Sequence, residues 1–232
     1  MTNISIDTLA GDGSFAAYLA EPSGPPRGAV VVIQEIFGVN QGIRRKCDSL
    51  AAAGYLAIAP DLFWRLEPGV ELDADVPEQF QQALALMGRF DQDLAIRDLE
   101  ATIRAARARL GEGGKVGVVG YCLGGRLAYL VAARTDADAS VGYYAVGVPG
   151  LLGEKHAIAR PLLLHIAGED GFVPKDAQAA MHEGLDDHPK VTLYDYPGED
   201  HGFAAELGKR RSEAAAQLAN ERTLAFFAEH LG

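Results

Sequence analysis

Lys115-Val116-Gly117-Val118-Val119-Gly120-Tyr121-Cys122-Leu123-Gly124-Gly125 decides how this chain folds. The valine-rich start reads as a buried strand, and Leu123 to about Ala133 reads as a helix. Between them stands one cysteine with a glycine two residues away on either side. A nucleophile held in a strained turn between strand and helix needs that pattern, because backbone passes close to it on both sides and a Cβ would collide. Gly120 and Gly124 supply the clearance. The helix that follows starts with unpaired N–H groups directed at the same spot, and its dipole favours negative charge there. That field suits both a thiolate and an oxyanion, and a neighbouring histidine would activate the thiol further.

Working outward, apolar runs alternate with helical patterns. Ile4 to Leu9 and Phe15 to Ala20 flank the turn signal Gly11-Asp12-Gly13 and predict an opening hairpin. Ala29 to Ile33 and Tyr55 to Ala59 are continuous apolar runs without alternation, as expected of strands covered on both faces. A helix from Gln41 to Ala53 joins them. Helices are also predicted over Pro77 to Met87, Asp91 to Leu110 and Ser212 to His230, and strands over Ser140 to Val146, Pro161 to Ala167 and Val191 to Tyr196. The result is a single α/β domain over residues 1–232, with a mostly parallel central sheet and helices on both faces. The segment Phe63 to Pro77 is irregular and could cover a site.

The composition excludes several classes of partner. With 232 residues, 48% hydrophobic and 23% charged, the chain has the make-up of a soluble protein with a sizeable core. A net charge of −11 disfavours nucleic acid and anionic membrane surfaces. No stretch is long and apolar enough to cross a bilayer, and the first residues lack a basic region followed by an apolar core, so a cytoplasmic protein is expected. Cys47 falls on the apolar stripe of its helix and is expected in the core. A disulfide with Cys122 would consume the proposed nucleophile, so both are expected reduced. Neither metal-ligand spacing nor a dinucleotide motif is present, and no cofactor is implied; Gly111 to Gly114 precedes a strand and reads as a turn.

Three chemistry-bearing residues fall just beyond the carboxyl ends of three predicted strands: Cys122, Asp170 and His201. In an open parallel sheet such loops gather on one rim, where ligands bind. The order nucleophile, acid, histidine is that of the α/β-hydrolases. His201 would move the thiol proton and later activate water, while Asp170 would hold the imidazole in one tautomer and orientation. His165, inside an apolar strand, is expected as a core histidine. Asp200 and Glu169, adjacent to the chosen residues, are expected to point elsewhere.

The chain resembles the dienelactone hydrolases, also called carboxymethylenebutenolidases. The resemblance spans nearly the whole length and is carried by Gln34-Glu35-Ile36-Phe37-Gly38-Val39-Asn40, Ala59-Pro60-Asp61-Leu62, Gly120 to Gly125, Val141-Gly142-Tyr143-Tyr144, Asp170 and His201-Gly202-Phe203. It implies the α/β-hydrolase fold and hydrolysis of a small ester or lactone through a thioester. It also implies that Glu35 controls ionisation of Cys122, and that the N–H groups of Ile36 and Leu123 form an oxyanion hole. Phe37, Trp64, Tyr144 and Phe203 are candidate pocket walls, with core packing the alternative reading of such aromatic residues. The chain departs from the family at one feature. Members that act on dienelactone hold its carboxylate with two arginines, and the matching positions here are Phe80 and Ala205. Arg65 and Arg89 are possible substitutes. A neutral small-acyl carboxylesterase or thioesterase is therefore the alternative activity, and a binding protein without turnover the alternative of another class. A monomer or small homo-oligomer is expected.

Overall fold

A computed structural model describes residues 2–232. Eight strands form one sheet: β1 (Thr2–Asp7), β2 (Ser14–Ala20), β3 (Ala29–Ile33), β4 (Leu56–Pro60), β5 (Val116–Tyr121), β6 (Ala139–Tyr143), β7 (Leu162–Ala167) and β8 (Val191–Tyr196). They lie in the order β1-β2-β4-β3-β5-β6-β7-β8. The hairpin β1–β2 and the contact of β2 with β4 are antiparallel. All other pairings are parallel.

Among the described residues six α-helices accompany the sheet: α1 (Gln41–Ala52), α2 (Pro77–Met87), α3 (Gln92–Leu110), α4 (Leu123–Arg134), α5 (Lys175–Leu185) and α6 (Glu213–Leu231). The pleat of β3 shows why both faces need cover. Val31 and Ile33 join the apolar cluster that includes α3 and α4, whereas Val30 and Val32 join the one that includes α1 and α6. Such a strand reads as an unbroken apolar run because neither of its faces meets water. Side-chain caps fix two helix starts: Asn40 Oδ1 accepts from the Ile43 N–H, and Asp91 Oδ1 from those of Asp93 and Leu94.

The predicted strand Ser140 to Val146 is shorter in the molecule. It ends at Tyr143 because Tyr144 adopts φ 37°, in the left-handed region that stops a strand. Between β6 and β8 the chain also forms a 3₁₀ segment, Val148–Ala157, and helix α5, neither of which the apolar pattern announced. His165 is a core histidine, with Nδ1 on Tyr196 Oη at 2.8 Å and Nε2 on Thr223 Oγ1 at 3.0 Å. Burial pushes it down to about 3, so it is neutral and ties β7 to β8 and α6. Cys47 is fully buried, and both cysteines are free.

Candidate active site

Cys122 sits between β5 and α4 at φ 57°, ψ −113°, a conformation a non-glycine residue holds only when its surroundings fix it. The glycines around it do so by close approach. A Cβ on Gly120 would lie 1.9 Å from the Gly124 carbonyl oxygen, and one on Gly124 would lie 2.5 Å from that of Ile33. The elbow therefore touches the end of β3 with no room for side chains. That contact sets the segment Gln34 to Gly38 beside Cys122.

Side chains fix this neighbouring segment. Gln34, fully buried, accepts from the Leu62 N–H at 3.1 Å and donates to the Glu35 carbonyl at 3.3 Å. Gly38, at φ 75°, lies so close to Val70 that only glycine fits. Asn40 Nδ2 donates to the Leu72 carbonyl, and the Leu72 N–H donates to that of Phe37. The irregular stretch after β4 is thus strapped across the site, and Glu71 to Asp75 form part of its rim.

His201 and Asp170 reach the same place from the loops after β8 and β7. His201 Nδ1 lies 2.8 Å from Asp170 Oδ2 and 3.1 Å from Oδ1. The carboxylate also accepts from the N–H groups of Phe172 and Val173, which hold its orientation. With Nδ1 on Asp170, the imidazole lines the same cavity as Cys122. Burial alone would keep the imidazole neutral. The hydrogen bonds and charges of Asp170 and Cys122 outweigh it and raise His201 to about 10. The rings of Tyr144 and Phe172 meet the imidazole edge-on at 4.9 and 4.8 Å. Asp200 does turn away, its Oδ1 accepting from the N–H groups of His201 and Gly171.

Glu35 projects into the same cavity. Burial pushes its carboxyl up, against the opposing pull of His201 and Lys46. Tyr144 Oη, also buried, faces Glu35 without closing a hydrogen bond of ordinary geometry. Lys46 is a residue the sequence reading passed over. It is buried among the apolar positions of α1, donates to the Ala204 carbonyl at 2.8 Å and pairs with Glu206 at 2.7 Å. It thereby pins the loop that follows His201. Its place between Ile43 and Leu50, three and four residues away, was the available signal.

The cavity enclosed by these elements measures about 810 Å³. Glu35, Ile36, Phe37, Cys122, Tyr144 and His201 all line it. Leu123 opens α4, so its N–H is among those a helix leaves without an intrahelical acceptor. Two expected walls lie elsewhere. Trp64 stacks on Phe15 and donates from Nε1 to the buried Asp98, because an indole N–H inside a protein needs a partner. Phe203 is fully buried behind the site, against Tyr144 and Tyr196. Arg65 is committed to Asp98 and lies over the Trp64 ring, and Arg89 does not reach the cavity. Phe172, Leu84 and Arg210 do line it, and the sequence reading missed all three.

The sheet order and the elbow define an α/β-hydrolase. A model of the dienelactone hydrolase family matches residues 15–231, and the chain belongs to that family. It is 49% identical over 234 residues to an Azospirillum brasilense protein named "Putative carboxymethylenebutenolidase", with all of both chains covered. It is 41% identical to the carboxymethylenebutenolidase of Pseudomonas putida, over 97% of this chain and 95% of that one. The crystal structure of a Klebsiella pneumoniae protein described as a putative dienelactone hydrolase superposes with a TM-score of 0.82 at 30% identity, covering 99% of this chain and 100% of the other. The protein is a hydrolase of the carboxymethylenebutenolidase type. Among the described residues no helix is long and apolar enough to cross a membrane, and no three potential metal ligands cluster.

Proposed function

We propose that this protein hydrolyses a lactone or small carboxylic ester through a Cys122–His201–Asp170 triad and a thioester intermediate. The observation that carries the reading is the convergence of Cys122, at its strained elbow, on an imidazole held by a buried carboxylate. Cys122 Sγ attacks the carbonyl carbon while its proton resides on His201. The carbonyl oxygen gains negative charge, which the N–H groups of Ile36 and Leu123 stabilise. Collapse breaks the C–O bond, and the departing oxygen takes the proton from His201. Water then gives a proton to His201 and attacks the thioester; collapse releases the acid and restores the thiol. With a lactone, the leaving oxygen stays tethered, so the product is an open-chain acid.

Glu35 acts on the thiol in this scheme. A carboxylate beside the sulfur repels a thiolate and would restrain Cys122 until substrate arrives. Glu35→Gln is then expected to raise the rate of Cys122 alkylation by iodoacetamide near neutral pH by roughly tenfold. An unchanged rate in the variant removes that role.

Among the described cations of the cavity, Lys46 is spent on Glu206, while Lys209 and Arg210 have no ion pair. The Arg210 guanidinium lies 6.0 Å from the Phe80 ring centroid and 5.5 Å from that of Phe172. The neutral-ester alternative is favoured by Phe80 and Ala205 at the positions where family members carry arginines. Steady-state hydrolysis of dienelactone beside phenyl acetate tests the whole proposal. Turnover of at least one is expected, and turnover of neither overturns it. A preference for dienelactone would assign its carboxylate to the unpaired cations of the cavity, Lys209 and Arg210. A preference for phenyl acetate would keep the chemistry and remove the anionic substrate.

A further inference from the structure

Helix α2 carries two apolar stripes: one is buried in the core, and on the other Phe80 and Met87 pack partly against the core while Leu84 does not. Ala83 and Leu86 are its buried residues. Phe80, Leu84 and Met87, four and three residues apart, form the second stripe and line the cavity. Leu84 is 40% exposed; Phe172 and Leu207, also on the cavity, are 51% and 41% exposed. Three of the six large apolar side chains exposed among the described residues thus surround one opening. Single exposed apolar residues are ordinary, whereas a cluster around a concave site marks a surface awaiting a ligand. The stripe is continuous with the reacting centre. Phe80 meets Phe37 at 5.9 Å between ring centroids, and Phe37 follows Ile36, the expected oxyanion donor. The volume points the same way: about 810 Å³ suits a drug-sized ligand, far more than an acetyl group or a bare lactone ring fills.

We propose that the site selects esters and lactones with an extended apolar acyl arm, laid along Phe80, Leu84 and Met87. The inference rests on the ester-hydrolase reading and names its substrate class. From Phe80 to Leu84 the helix rises ~6 Å, which an acyl chain of about six carbons spans, and Met87 lies ~10 Å along. The arm joins the carbonyl on the Phe37 side and runs outward to Leu84.

Two measurements with p-nitrophenyl acetate and p-nitrophenyl hexanoate test this. Calorimetric binding to Cys122→Ala reads recognition apart from turnover, and kcat/KM of the wild type and Leu84→Asn reads specificity. Each added methylene is expected to strengthen binding and raise kcat/KM by roughly 2- to 4-fold, so that hexanoate exceeds acetate by about 15- to 250-fold. Leu84→Asn, a change at a half-exposed helix position, is expected to cut that ratio at least ~3-fold. Equal binding of the two esters by Cys122→Ala, or a ratio that Leu84→Asn leaves intact, overturns the inference. Tighter binding of hexanoate without turnover by the wild type would keep apolar selection and remove the ester-hydrolase reading instead.

Discussion

Replacing Cys122 with alanine is expected to lower kcat/KM for a reactive aryl ester by about 10⁴-fold or more, with no change in the urea unfolding midpoint. The activity loss follows from chemistry. Under the proposed mechanism no thioester can form without the sulfur, and the His201–Asp170 pair and the proposed oxyanion donors are left to assist water alone. The unchanged stability follows from geometry. Cys122 is half-buried at the cavity, so little packing is lost, and alanine meets the same φ of 57° that cysteine already tolerates. A variant that lost activity and stability together would point to a structural cysteine. Initial rates and urea titrations on one preparation separate the two.

Asp170→Asn is expected to cost about 10³- to 10⁴-fold in kcat. The carboxylate does two things at once: it accepts from His201 Nδ1 and from the N–H groups of Phe172 and Val173. An amide can keep one oxygen on the backbone donors, but its NH₂ then faces Nδ1 and selects the wrong tautomer. A change in stability against pH accompanies the loss. His201 is raised to about 10 in the folded protein, against about 6.5 for an unperturbed imidazole. Its contribution to stability is therefore fully present below pH 6.5 and is lost as pH rises through about 10. Removing the Asp170 charge lets burial dominate and lowers His201. The decline in stability between pH 7 and pH 10 is then expected to be shallower in Asp170→Asn than in the wild type, read from urea midpoints at both pH values. An equal decline in both proteins would mean that Asp170 does not hold the imidazolium.

The parts of this molecule legible in its sequence are those whose causes are local. Ala29 to Ile33 reads as a strand because all five residues are covered on both faces, and their unbroken apolar character records that directly. Gly120 and Gly124 read as an elbow because the contacts that exclude a Cβ lie within a few residues or at the adjoining strand end. Asp170 and His201 could be placed on the same rim because parallel strands put their carboxyl ends together.

What escaped the sequence depends on partners far along the chain. Trp64 is an aromatic residue in an irregular segment near the site, and its outward placement is decided by Asp98, 34 residues on. Phe203 follows His201 closely, yet the turn that brings the imidazole to Asp170 sends the phenyl ring into the core. Tyr144 ends β6 early through a positive φ that no local glycine signals. Helix α5 buries only Gln178, Met181 and Leu185 and lacks a side-chain cap, so its pattern is weak. Leu84 reads as one more apolar helix position, and only the position of α2 beside the cavity shows that the core leaves it unused.

The central claim is that the acyl group passes through Cys122. The most direct test is intact-protein and peptide mass spectrometry after rapid acid quench of wild-type protein mixed with excess p-nitrophenyl ester, with Cys122→Ala in parallel. The mechanism predicts a transient mass increase of one acyl group, localised to the peptide containing Cys122 and absent from the variant. Turnover at wild-type rate by Cys122→Ala, or an acyl group carried on another residue, would contradict it.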